Sequence, residues 1–183
     1  MKSFHCLTLA AALSLAGNVA SGVPSVTAFY QEAARIKPEG KLGQVVKQEP
    51  IATPIPGAVA WKIAYISSDV NNQRTIATGL VVAPAAAGTN RPVLAWAHGT
   101  TGTAQNNGPS QEVNPAVPLN EYFLIGGNSS TDYGMPALTQ FIAAGYVVVA
   151  TDYQGLGGGG RHQYAVALTN GRDVINSVRA AIT

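Results

Sequence analysis

The chain has 183 residues, of which 46% are hydrophobic and 11% charged, with a formal net charge of +2. This composition excludes a disordered, solvating polypeptide. The charge excess is too small and too scattered for a nucleic-acid partner, and the length is that of one domain.

Taken in chain order, the sequence opens like an export signal. Lys2 precedes a mostly apolar stretch from Leu7 to Ala16, and the small residues Gly17, Ala20, Ser21 and Gly22 come next. Residues 1–22 are therefore assigned to a signal peptide, and the protein is expected to be secreted or periplasmic. The apolar stretch is too short for a stable membrane span. Cys6 is the only cysteine and lies inside this segment. The mature chain would then hold no disulfide and no cysteine metal site. His98 and His162 would be its remaining histidines, with no His-x-x-x-His pair. Neither a metal nor a cofactor is expected.

Residues 23–57 read as a peripheral segment. A short helix is expected over 26–36, stopped by Pro38 and Gly40, and Pro50, Pro54 and Pro56 keep the remainder of the segment extended or turning. Residues 58–183 form the main domain. Val59–Ser67 and Arg74–Ala83 are β-rich runs around the polar turn Asp69–Gln73, a hairpin signature. Val93–Ala97 is apolar on both faces, as in a buried strand of a parallel sheet. The long segment from Gly99 to about Tyr133 is rich in Gly, Asn, Ser and Pro, and loops of that length are usually functional. A helix is expected over 136–144, with Leu138, Phe141 and Ile142 on one face and Gly145 at its end. Tyr146–Thr151 is a further strand, Gly155–Gly160 a glycine-rich loop, and Arg172–Ile182 a helix. In that helix Val174, Val178 and Ala181 share one face, with Ile175 and Ile182 beside it. The order predicts an α/β fold in which a β-hairpin leads into a parallel βαβα sheet.

The candidate chemistry sits where Pro92-Val93-Leu94-Ala95-Trp96-Ala97 meets His98-Gly99-Thr100-Thr101-Gly102. Acyl-transfer enzymes aim backbone N–H groups at a developing oxyanion from such a strand-to-loop turn. Gly99, Thr100 and Thr101 are the candidate donors, and His98 would shape the loop. The same residues also suit an ordinary glycine turn after a core strand.

Gly155–Gly160 matches G-x-G-x-x-G, which invites a dinucleotide reading. Against it, Asp152, Tyr153 and Gln154 separate the strand from the first glycine, and the available acid, Asp173, is on a helix. A flexible loop beside a cleft is the expectation. Asp152 and Tyr153 stand at the carboxyl end of a parallel strand, where α/β ligands bind. The cleft loop is assigned to Asp152, Tyr153, Gly155 and Gly157. For Asp152, capping of a turn is favoured over orienting the oxyanion loop. Ser110 and Ser129 lie in G-P-S-Q-E and G-N-S-S-T. Neither comes directly after a strand or fits G-x-S-x-G, so neither is taken as a nucleophile.

The run A-W-A-H-G-T-T-G, then G-P-S, then M-P-A-L-T-Q-F-I-A-A-G-Y-V-V-V-A-T-D-Y-Q-G-L-G, then His162-x-Tyr164 and V-I-N-S-V-R-A-A, resembles the secretory lipase family of α/β-hydrolases. The resemblance runs from about Val59 to Ala181. It implies a mostly parallel sheet with strand order 1-2-4-3-5 onward, counting from Val59. It also implies hydrolysis of triacylglycerol or related lipid esters by a serine acyl-enzyme. Relatives often carry Cys before the G/A-P-S; here Asn107 stands there. The elbow serine, the acid and the catalytic histidine are expected downstream, which makes residues 1–183 the N-terminal part of such an enzyme. The alternative is a non-catalytic exported binding domain.

Overall fold

A computed structural model describes residues 27–53, 55–103, 105, 108–111 and 137–182. The expected hairpin is present as β2 (Ala58–Ser68) and β3 (Arg74–Pro84), paired antiparallel from Ala58↔Pro84 to Ser68↔Arg74. Its turn is held by Asp69, whose Oδ1 accepts the N–H groups of Asn71 and Gln73 at 2.9 Å, while Asn72 takes the left-handed conformation (φ 62°).

β4 (Val93–Trp96) and β5 (Val147–Thr151) pair in parallel, Val93↔Val147 to Trp96↔Ala150, and β5 also pairs antiparallel with β3. The five-stranded order is β1-β2-β3-β5-β4. From β2 onward this is the expected 1-2-4-3 order. The sheet is mixed at its start and parallel between β4 and β5, with a crossover through α2 (Leu138–Ala143).

β1 (Val45–Ile51), within the segment 23–57 expected to be peripheral, forms an edge of the sheet. It pairs antiparallel with β2, from Val45↔Tyr65 to Ile51↔Ala60, with an irregularity between Val45 and Lys47. Pro50 argues against a strand, but β1 is an edge, where a missing N–H donor costs no ladder bond. Helix α1 (Ala28–Ala33) is likewise built in, burying Phe29, Tyr30 and Ala33 against Ala64, Ile66 and Ile76.

Both faces of the sheet are covered, as continuous apolar strands require. Leu138 and Ile142 of α2 pack on Ala60, Leu80, Val82, Val148 and Ala150. On the opposite face Ile63, Tyr65, Ala77, Val81 and Val149 meet α3 (Ala167–Ala181) through Ala180. Helix α3 begins before the expected Arg172, and its most buried stripe is polar. Thr169, Asp173, Asn176, Ser177 and Ala180 face inward at helical spacing, whereas Ile175 is 56% and Ile182 66% exposed.

That polar stripe survives burial because its members are hydrogen-bonded. The Ser67 hydroxyl donates to Asp173 Oδ1 at 2.5 Å, the Gln154 N–H to Asp173 Oδ2 at 2.9 Å, and Asn176 Nδ2 to Ser67 Oγ at 3.2 Å. Burial pushes the Asp173 carboxyl up to about 6, against the downward pull of Ser67 and Gln154. A folded carboxyl titrating above its unfolded value keeps a proton that the unfolded chain releases. Its stabilising contribution is therefore complete below about pH 4 and is lost as pH rises through about 6. Asp173→Asn mimics the protonated form. It should raise unfolding free energy at pH 8 by up to about 3 kcal/mol and leave it nearly unchanged at pH 4. Urea unfolding of the chain and the variant at the two pH values checks this; an equal effect at both would contradict it.

Candidate functional site

β4 ends at Trp96, and the chain leaves the sheet through Ala97 into His98-Gly99-Thr100-Thr101-Gly102. Gly102, rather than Gly99, takes the left-handed backbone (φ 115°), so the sharp redirection falls three residues later than the His-Gly pair suggests. This loop lines a cleft of about 200 Å³ together with Tyr153, Leu156, His162, Tyr164, Ala165 and Asn170. The cleft opens above the carboxyl ends of β4 and β5, where a parallel sheet offers backbone groups to a ligand.

His98 is buried, 5% exposed. Its Nδ1 donates to the Gly99 carbonyl at 2.6 Å, and its ring lies 4.6 Å from that of Tyr153 and 6.0 Å from that of Trp96. Burial lowers its pKa, opposed by the Gly99 carbonyl and by Asp152, and keeps the ring neutral near pH 7. The geometry makes His98 a brace for the loop. Thr100 Oγ1 is 3.0 Å from the Tyr164 hydroxyl, which links the loop to the far wall. The buried Thr101 Oγ1 has no hydrogen-bond partner among the described residues.

The cleft-loop residues divide. Tyr153 lines the cavity, and its hydroxyl donates to the His98 carbonyl at 3.1 Å. Asp152, Gly155 and Gly157 do not line it. Asp152 is fully buried beneath the cleft. Its Oδ1 accepts the Ser110 N–H at 2.7 Å, and its Oδ2 accepts the Ser110 and Thr78 hydroxyls, each at 2.5 Å. It caps no local turn: it ties β5 to β3 and to the short 3₁₀ turn Pro109–Gln111. Burial pushes its carboxyl upward, against these three donors and His98. Ser110 is itself wholly buried, and Tyr30 donates to its carbonyl at 2.6 Å. Its hydroxyl is engaged and shielded, so it offers no nucleophile. Ser129 lies outside the described residues, as do residues 1–26, including Cys6.

The glycine-rich segment is not an open, flexible loop. Gly155, Leu156, Gly157 and Gly158 are buried. A Cβ on Gly157 would stand 2.1 Å from Thr78 Oγ1, and one on Gly158 2.5 Å from the Ile76 carbonyl oxygen. These glycines let the backbone press against β3, and leave no room there for a pyrophosphate. Gln105 fastens the far end, with Nε2 donating to the Gly160 carbonyl at 2.7 Å and Oε1 accepting the Gly159 N–H at 3.2 Å.

The structure adds Leu156, His162, Tyr164, Ala165 and Asn170 to the cleft. His162 Nδ1 donates to the Gln154 carbonyl at 2.8 Å, and its ring lies 6.2 Å from that of Tyr164. The His162-x-Tyr164 pair after the glycines is the sequence signal for this wall. Asn170 has none, because it enters with the early turn of α3. Among the described residues no cluster of three or more His, Cys, Asp or Glu could hold a metal, and no helix is long and apolar enough to cross a membrane.

Known proteins share both the fold and part of the sequence. The secretory lipase family model matches residues 126–183. Curated protein sequences provide no significant match. The fold is similar to that of Candida antarctica lipase A in its closed state, with 18% identity and a TM-score of 0.57 over 76% of this chain and 31% of that one. It is similar to the rice cell wall degrading esterase LipA from Xanthomonas oryzae, with 20% identity and a TM-score of 0.58 over 78% of this chain and 37% of that one. A putative hydrolase from Legionella pneumophila is similar over 75% of this chain and 38% of its own, with 22% identity and a TM-score of 0.50. The chain thus spans about a third of the length of these structures (31–38%). It has the α/β-hydrolase fold, and its residues 126–183 match the secretory lipase family model.

Proposed function

We propose that this chain supplies the oxyanion loop and part of the substrate cleft of an exported hydrolase. The substrates are carboxylic esters of lipids or related molecules, cleaved through a serine acyl-enzyme. The observation that carries the reading is the His98–Gly102 loop, turned over the end of β4 and lining the cleft with Tyr153, His162 and Tyr164. Backbone N–H groups of Gly99, Thr100 and Thr101 are the proposed donors to the developing oxyanion. The sequence contains no G-x-S-x-G, and Ser110 is locked between Tyr30 and Asp152. The nucleophile, its base and the supporting acid are therefore assigned to sequence beyond residues 1–183.

Two assays test this. The 183-residue chain should give no turnover of p-nitrophenyl acetate or decanoate above background. The product of the complete reading frame should hydrolyse at least one of them. In that product Gly102→Val should lower kcat by about 10²-fold, the scale of losing one oxyanion donor, because valine cannot adopt the left-handed backbone. Turnover by the 183-residue chain that vanishes in Ser110→Ala or Ser129→Ala would overturn the assignment. So would an unchanged kcat in Gly102→Val. A reading frame that ends at codon 183 and yields a stable, ligand-binding product would favour the non-catalytic alternative.

A further inference from the structure

We propose that Tyr153 is a positioning residue for the oxyanion loop, acting through its hydroxyl on the 98–99 peptide. The inference rests on the ester-hydrolase reading and assigns the residue that sets the geometry of its loop. Three observations carry it.

The first is the bond itself. The Tyr153 hydroxyl donates to the His98 carbonyl at 3.1 Å. That carbonyl and the Gly99 N–H belong to one planar peptide and point in opposite directions. Holding the oxygen therefore fixes the direction of the N–H, a proposed oxyanion donor. His98 holds the next peptide, since its Nδ1 donates to the Gly99 carbonyl at 2.6 Å. Two successive peptides of the loop are thus oriented by side chains, one from β4's own exit and one from the end of β5.

The second is backbone strain at Tyr153. It is a bulky residue with φ 63°, in the left-handed region that ordinary L-residues avoid. An outlier of this kind at the end of a strand persists only where surrounding structure imposes it. A right-handed or extended Tyr153 would send the ring elsewhere.

The third is that surrounding structure. The Tyr153 N–H donates to Thr151 Oγ1 at 3.0 Å, and that oxygen is 2.6 Å from the buried Tyr65 hydroxyl. The next N–H, of Gln154, donates to the buried Asp173 carboxylate at 2.9 Å. Side chains from β5 and α3 therefore grip the backbone on both sides of the strained residue. The Tyr153 ring then packs on His98, centroids 4.6 Å apart, and delivers the hydroxyl to the carbonyl.

The test uses Tyr153→Phe, which keeps the ring and removes the donor. In the product of the complete reading frame, kcat should fall about tenfold with KM unchanged and Tm unaltered. Replacing Tyr153 with para-aminophenylalanine restores a donor at the same place and should return kcat to within about twofold. An unchanged kcat in Tyr153→Phe, or a loss that the amino analogue does not rescue, would overturn the proposal. A second arm needs no catalysis. In 1H–15N spectra of the 183-residue chain, Tyr153→Phe should split or broaden the Gly99, Thr100 and Thr101 amide signals. The amino analogue should return them to one sharp set. Single sharp signals in the Phe variant would contradict the proposal. If the complete product hydrolyses no ester, the functional reading fails alone, and this arm still judges the positioning.

Discussion

Replacing Asp152 with alanine is expected to lower the unfolding free energy by about 4 kcal/mol, whereas asparagine should cost about 1 kcal/mol. The carboxylate is fully buried and accepts three donors: the Ser110 N–H, the Ser110 hydroxyl and the Thr78 hydroxyl. Alanine leaves these donors without an acceptor and opens a void beneath the cleft. Each orphaned buried donor costs about 1–3 kcal/mol, less whatever rotation of a hydroxyl recovers. Asparagine keeps an oxygen for the Ser110 N–H. Its amide can donate to the two hydroxyls, which then act as acceptors. The pair of variants separates a packing and hydrogen-bonding role from a need for charge. Urea unfolding at pH 7 gives both values; comparable large losses in Ala and Asn would mean that the negative charge itself holds the fold.

Gly157→Val is expected to cost about 4 kcal/mol, above the usual range for an overpacked site. Its Cβ would lie 2.1 Å from Thr78 Oγ1, and 3.1 Å from both Asp152 Oδ2 and Tyr30 Cδ1. Those neighbours belong to the Asp152 network and cannot shift without breaking it. Gly160→Ala is the control. It has φ 76°, and its Cβ would meet nothing nearer than 3.8 Å. Only the left-handed penalty remains there, about 1 kcal/mol. Equal, small losses in both variants would show that the glycine segment is loosely held, as the sequence alone suggests.

What is legible in the sequence, and what is not, has a physical basis. Val147–Thr151 and the two hairpin strands are apolar and β-branched, and their burial comes directly from residue type. The short helix ending at Gly145 is marked by one apolar face and a left-handed terminus (φ 90°). β1 is hidden because Val45–Ile51 contains Lys47, Gln48, Glu49 and Pro50, and an edge strand tolerates all four. The inner face of α3 escapes the pattern because apolar periodicity marks a core only when apolar residues do the packing. Here Asp173, Asn176 and Ser177 do it through hydrogen bonds. In the site, the strand-end turn at His98 is visible as an apolar run stopping at a His-Gly pair. The role of Asp152 is not, since its donors Thr78 and Ser110 are 74 and 42 residues away in sequence. The glycine segment matches a phosphate-binding pattern because close backbone packing and phosphate binding both require absent side chains.

The most direct test of the central claim is the structure of the complete reading-frame product trapped with a p-nitrophenyl phosphonate, whose tetrahedral adduct mimics the acyl-transfer intermediate. The predicted result is a phosphonyl oxygen about 2.7–3.1 Å from the backbone nitrogen of Gly99, Thr100 or Thr101. An adduct whose oxygen lies away from the His98–Gly102 loop, or a protein that forms no adduct at all, would contradict the account.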